Sequence, residues 1–153
     1  MTSYMDQSTR QDISRLIRKE FYALRNGLIA DTLRKGGLEQ KYIFGLQLPQ
    51  IKDIAERFKP QTNEEAAELA VGLWNDRECR EARLLACHLM PHSLVDKEMA
   101  TEWAVGTATR EEADILAFRL LRYLPFSADI AEGLANSDNS LQKYTAEAIH
   151  RFL

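Results

Sequence analysis

LLACHLM, residues 84–90, decides the fold once it is set beside three other segments: DIAERF (53–58), ILAFRLL (115–121) and AEAIHRF (146–152). Their alanines, Ala55, Ala86, Ala117 and Ala148, follow one another at intervals of 31 residues. Ile54, Leu85 and Leu116 stand just before the first three, and Glu147 breaks the pattern in the fourth. Pro60 and Pro91 keep the same interval, as do Trp103 and Leu134. A fixed interval of this size marks a helical solenoid, in which each repeat buries its apolar face only against its neighbours. A small alanine at the recurring position lets adjacent helices approach closely.

Cap signals divide each repeat into two helices. Thr62 with Glu65 and Thr109 with Glu112 fit the capping box, and Asn75 or Asp76, Ser93 and Ser137 suit other helix starts. First helices are predicted near 63–73, 94–106 and 127–135, and second helices near 77–90, 110–124 and 138–152. A long helix (6–26), a short one (28–35) and a helix near 49–58 precede them. KGGLEQKYIFGLQLP (35–49) is the longest irregular stretch. Antiparallel helix pairs at this spacing describe an all-α, HEAT-like α-α superhelix, whose concave face is the usual binding surface. No stretch reads as a linker, so residues 1–153 are expected to form a single HEAT-like helical repeat domain.

The rest of the chain agrees. With 153 residues, 45% apolar and 28% charged, it has the composition of an ordinary globular protein long enough to bury a sizeable core. Gly and Pro are scarce, and β-branched runs with period-2 alternation are absent. MTSYMDQSTRQ at the start is too polar for a signal peptide, and no segment approaches the roughly 20 apolar residues of a membrane span. Cys79 and Cys87, eight residues apart on one helix, would lie about 12 Å apart along its axis, beyond the about 7 Å that a disulfide allows. Free, buried thiols suit a reducing cytoplasm. His88, His92 and His150 form no ligand pattern with them, so no metal site is expected.

Charge is unevenly spread. Residues 1–60 hold 11 Lys/Arg and 7 Asp/Glu, whereas 61–153 hold 9 and 16. Beyond residue 60, Arg77, Arg80, Arg83, Arg110, Arg119, Arg122, Lys143 and Arg151 all fall on second helices, and only Lys97 falls on a first one. The first helices carry Glu64, Glu65, Glu68, Glu98, Glu102, Asp129 and Glu132. One reading is an arginine-lined groove that meets a polyanion. The other is solvated faces with local ion pairs. The second helices also hold Glu78, Glu81, Glu111, Glu112 and Asp138, so charge alone favours the latter, and the basic first helix, with Arg10, Arg15, Arg18, Lys19 and Arg25, adds modestly to the former.

TREEADILAFRLLRYLP (109–125) poses a sharper question. At about 100° per residue its apolar face centres on Ala117, and Asp114 falls inside that arc between Leu121 and Phe118. An ionised carboxylate buried without a partner is costly. Asp114 therefore pairs with Arg110 four residues earlier, faces a groove that closes over a ligand, or does chemistry.

Three stretches carry a family resemblance. FGLQLPQIKDIAERF (44–58), LAVGLWNDRECREARLLACHLM (69–90) and SDNSLQKYTAEAI (137–149) resemble, in order and spacing, the bacterial DNA alkylation repair proteins, the AlkD-like glycosylases. The resemblance implies a HEAT-like superhelix, duplex DNA as partner, and excision of N3- or N7-alkylpurines. No cofactor or metal is implied, because the lesion carries its own leaving-group activation. It also implies that Asp114 stands where the family's aspartate stabilises the sugar cation left by the departing base. Lys143 stands where an arginine holds phosphate, and Arg110 where the family has tryptophan four residues before the aspartate. Trp74 and Trp103 are aromatic candidates for DNA contact or core residues. The sequence given stops at Leu153, before repeats the family usually adds, so it reads as a shortened, divergent member. The nucleic-acid-binding candidates are Arg80, Arg83, Arg110, Arg119 and Lys143, and the catalytic candidate is Asp114. Three functions stay open: a DNA-binding or DNA-alkylation-repair-related module with a degenerate active site, an active alkylpurine glycosylase, or a non-catalytic scaffold that binds a protein partner or another copy of the chain.

Overall fold

The computed structural model describes residues 7–153. Among these the chain is all-α, with nine α-helices, two short 3-10 turns and no strand. The polar opening segment, residues 1–6, lies outside the described residues. No helix among the described residues is long and apolar enough to cross a membrane. The chain forms two compact units, one ending at Met90 and the other running from Pro91 to Leu153.

In the first unit, α1 (Gln7–Leu24), α2 (Gly27–Lys35), α3 (Leu48–Phe58), α4 (Asn63–Trp74) and α5 (Arg80–Leu89) follow in order. Thr62 caps α4 by accepting from the Glu65 amide at 3.2 Å. α4 pairs with α5, and α3 packs on both α5 and α1. Second helices of successive repeats therefore lie together here, and Ala55 and Ala86 are 7% and 0% exposed. α5 starts at Arg80 rather than near 77. The residues before it are held out of the helix by the loop, with the Tyr42 amide donating to Glu78 at 2.8 Å and the Arg80 amide to Tyr42 at 3.1 Å.

That loop, residues 36–47, is irregular but firmly tied, and Glu81 is its anchor. The carboxylate is fully buried. It accepts from the amides of Phe44 at 3.0 Å, Gly45 at 3.0 Å and Leu46 at 3.3 Å. The Arg80 guanidinium donates to it at 2.6 Å. Gly45 takes φ +82°, and a Cβ there would come within 2.2 Å of the Asn26 carbonyl oxygen. Only glycine fits. The Gly45-to-Pro49 spacing thus has a physical cause: a left-handed turn pressed against the start of α2, followed by a proline in the first turn of α3, where a missing amide costs nothing.

In the second unit a 3-10 turn (His92–Leu94) leads to α6 (Lys97–Val105), α7 (Arg110–Arg119), a second 3-10 turn (Leu121–Tyr123), α8 (Ser127–Ala135) and α9 (Ser140–His150). α8 pairs with α9, and α7 lies along α9. Ala117 and Ala148 are 0% exposed, so the contact between second helices recurs. Three expected boundaries move. Asp96, not Ser93, caps α6, accepting from the Met99 amide at 2.8 Å. Asn139, not Ser137, caps α9, although Ser137 still accepts from the Asn139 amide at 3.0 Å. α7 stops at Arg119, because Leu120 leaves helical geometry (φ −127°, ψ −62°) before the 3-10 turn. Cys79 and Cys87 are buried thiols that form no disulfide. Trp74 and Trp103, each 5% exposed, are core residues.

Candidate functional site

Asp114 sits in the second turn of α7, whose start is fixed by Thr109 and Glu112. The Glu112 amide donates to Thr109 Oγ1 at 3.1 Å, and the Glu112 carboxylate accepts from the Ala108 amide at 2.8 Å. This cap sets the helix phase, and the phase turns Asp114 toward α9. There Tyr144 donates its hydroxyl across both carboxylate oxygens, at 2.8 and 3.0 Å. Arg151 Nη1 donates to Oδ1 at 2.9 Å. The Asp114 side chain remains 41% exposed. The carboxylate on the apolar arc is therefore neither sunk in the core nor bare. It lies at the edge of the α7–α9 contact, held by a phenol and a guanidinium.

Arg110 is not the partner of Asp114. Its guanidinium lies over the Tyr144 ring, 4.8 Å from the centroid, and Arg151 lies over the same ring at 5.4 Å. The ring face attracts both cations. The i,i+4 pair loses to a geometry in which Tyr144 stands next to the carboxylate and Arg151 supplies the opposite charge. Bonding to Tyr144, then to Asp114, holds the Arg151 guanidinium above its ordinary value, so it remains cationic.

Among the nucleic-acid candidates, Arg110 and Lys143 are exposed on α7 and α9, and Arg119 is half-buried with its guanidinium 5.3 Å over the Phe118 ring. Arg80 and Arg83 correct the expectation of an arginine-lined groove, since they are 4% and 2% exposed in the first unit. Arg80 donates to the Leu46 carbonyl at 2.9 Å as well as to Glu81. Arg83 lies 3.9 Å over the Trp74 ring. Both are tied into the core, where a phosphate cannot reach them. The sorting of charge by helix is kept for the acidic residues, whereas Arg77, Arg122 and Arg151 fall outside α5, α7 and α9. Glu64, Glu65 and Glu68 lie on α4, Glu98 and Glu102 on α6, and Asp129 and Glu132 on α8.

Tyr144 and Arg151 carry the site and were missed as site residues. A signal for them existed. Ala117 and Ala148 pack α7 against α9 in a register of 31, so a residue on α7 faces positions about 30 and one or two turns further on. Tyr144 follows Asp114 by 30 residues and Arg151 by 37. The first unit also holds a groove of about 380 Å³ between α1 and α4. Its two arginines are already engaged there, Arg10 with Glu68 at 3.6 Å and Arg18 with Asp76 at 2.9 Å. No group of His, Cys, Asp and Glu among the described residues could hold a metal ion.

The sequence matches the DNA alkylation repair enzyme family over residues 17–150. No curated protein and no solved structure gives a significant match. The matched span takes in the Gly45–Pro49 turn, the four-alanine repeat and the Asp114–Tyr144 contact, and on that match the chain belongs to the DNA alkylation repair enzyme family.

Proposed function

We propose that this chain is a DNA-binding module of alkylation repair that engages duplex DNA with the α7–α9 face of its second unit and does not excise bases. Family membership gives the chain a DNA-alkylation-repair-related role. One observation carries the finer reading: the Asp114 carboxylate already accepts from Tyr144 and Arg151. A carboxylate that stabilises a sugar cation must offer its charge to the reacting centre. Here a guanidinium offsets that charge and a phenol occupies both oxygens. Arg110 in place of tryptophan removes an aromatic wall and adds a cation suited to phosphate. Arg110, Arg119 and Lys143 are the phosphate contacts in this reading.

The test pairs two measurements on one substrate, a duplex carrying N7-methylguanine. Binding is followed against salt, and base release is followed under single-turnover conditions. The reading requires binding that weakens with salt by a log–log slope of about −0.9 per phosphate contact, with no release above spontaneous depurination. Absence of duplex binding at low salt overturns the DNA reading, and robust release overturns the non-excising one. Active excision is favoured by a single feature, the 41% of the Asp114 side chain left open.

A further inference from the structure

One turn beyond Asp114 the character of the second unit's surface changes. Phe118 on α7 and Tyr123 in the 3-10 turn are large hydrophobic residues left 39% and 52% exposed. Phe118 meets Phe152 at a centroid distance of 5.7 Å. Tyr123 stacks on His92 at 4.5 Å with the planes 14° apart. Arg122 joins the two pairs, its guanidinium 4.3 Å from the Phe118 centroid, 4.6 Å from Tyr123 and 5.4 Å from Phe152. His92 is fixed in turn by its Nε2, which donates to the Arg119 carbonyl at 2.9 Å. Four rings and the Arg122 guanidinium thus form one contiguous patch. Phe152 follows Arg151 in sequence, so the patch continues directly from the Asp114 site.

We propose that this patch is a stacking platform for the unpaired bases of single-stranded DNA, with the neighbouring Arg119 taking phosphate. The proposal rests on the DNA reading above and names a second class of substrate for the same face. Aromatic rings interleaved with guanidinium groups attract base faces and backbone charge together, without regard to sequence. Within a duplex those base faces are covered by their neighbours in the stack, so the patch has nothing to offer paired DNA. It also lacks the Asn or Gln amides that read base edges. A strand that leaves a duplex near Asp114 would find its phosphates and its bases matched on one surface.

Fluorescence anisotropy of the full chain against three probes separates the possibilities: a short oligothymidine, an abasic strand of the same length, and a duplex of the same length. The two single strands carry equal phosphate charge and differ only in bases. Wild-type protein should bind the oligothymidine about tenfold more tightly than the abasic strand, the scale of one base stacked on an aromatic ring. Phe118→Leu with Tyr123→Leu should bring that ratio to about one while duplex affinity stays unchanged. Phe118→Tyr with Tyr123→Phe should keep the ratio, which excludes a folding defect as the cause. Equal binding of both single strands by the wild type, or a ratio that survives in the leucine variant, overturns the proposal and leaves duplex binding standing. Failure to bind any of the three at low salt overturns the DNA reading and the proposal together.

Discussion

Replacing Glu81 with glutamine changes one atom and should cost about 3 kcal/mol. The two carboxylate oxygens have unequal duties. One accepts from the Phe44 amide, and the other accepts from Gly45, Leu46 and Arg80. An amide can keep its carbonyl oxygen on the side with three donors, and its NH₂ then points at the Phe44 N–H. Two donors face each other, and a buried amide loses its acceptor, at about 1–3 kcal/mol. The bond from Arg80 keeps its cationic donor but loses its anionic acceptor, at about 1–2 kcal/mol more. Set against a total stability of about 5–15 kcal/mol, this is a large fraction. Urea unfolding followed by circular dichroism should show the midpoint falling by about 1.5 M at a slope of about 2 kcal/mol per M. A loss below about 1 kcal/mol would mean that Glu81 is not what holds the 36–47 loop.

Arg80→Ala or Arg83→Ala should lower stability by about 2–4 kcal/mol without altering the salt dependence of duplex binding, because both side chains are in the core. Arg110, Arg119 and Lys143 changed together to alanine should leave the melting temperature nearly unchanged and flatten the log–log salt slope by about 2.7, three contacts at 0.9 each. Gly45→Ala should destabilise by about 1–3 kcal/mol, because the positive φ and the Asn26 carbonyl leave no place for a methyl group; denaturant titration reads this. Burial pushes the Cys79 thiol up to about 11. The folded value lies above the unfolded one, so the stability it contributes is whole below the ordinary thiol range and fades as pH rises through about 11. Comparing wild type with Cys79→Ala across that range should show the gap closing, and alkylation at neutral pH should await unfolding.

The four alanines were enough to predict the contacts of α3 with α5 and of α7 with α9, because a small residue at a fixed interval has one physical use in packed helices. The caps at Thr62 and Thr109 were legible for a similar reason, since a hydroxyl three residues before a glutamate satisfies the same amides in any sequence. What could not be read was which arginines are buried. Arg80 opens α5 and Arg119 closes α7, both as charged residues of second helices. Arg80 is drawn into the core by Glu81 and by a loop some 35 residues earlier, and no local pattern encodes that contact. Asp114 shows the same limit. Its oddness on an apolar arc was visible, and its nearest basic neighbour, Arg110, was the local answer. The partners it has come from α9 and the residue that caps its C-terminus, and they follow only once the 31-residue register is applied to side chains as well as to the alanines.

Single-turnover release of base from duplex DNA carrying N7-methylguanine, run beside binding to that duplex, tests the central claim most directly. Wild type, Asp114→Asn and the uncapped Tyr144→Phe/Arg151→Ala double variant should be compared. On this account wild type binds and releases no base above the spontaneous rate, and Asp114→Asn binds no more weakly. If excision appears at all, it appears in the uncapped variant, whose carboxylate is freed. Robust release by the wild type that falls about 10²–10³-fold in Asp114→Asn would contradict the claim, and would mean that the carboxylate held by Tyr144 and Arg151 is a working catalytic group.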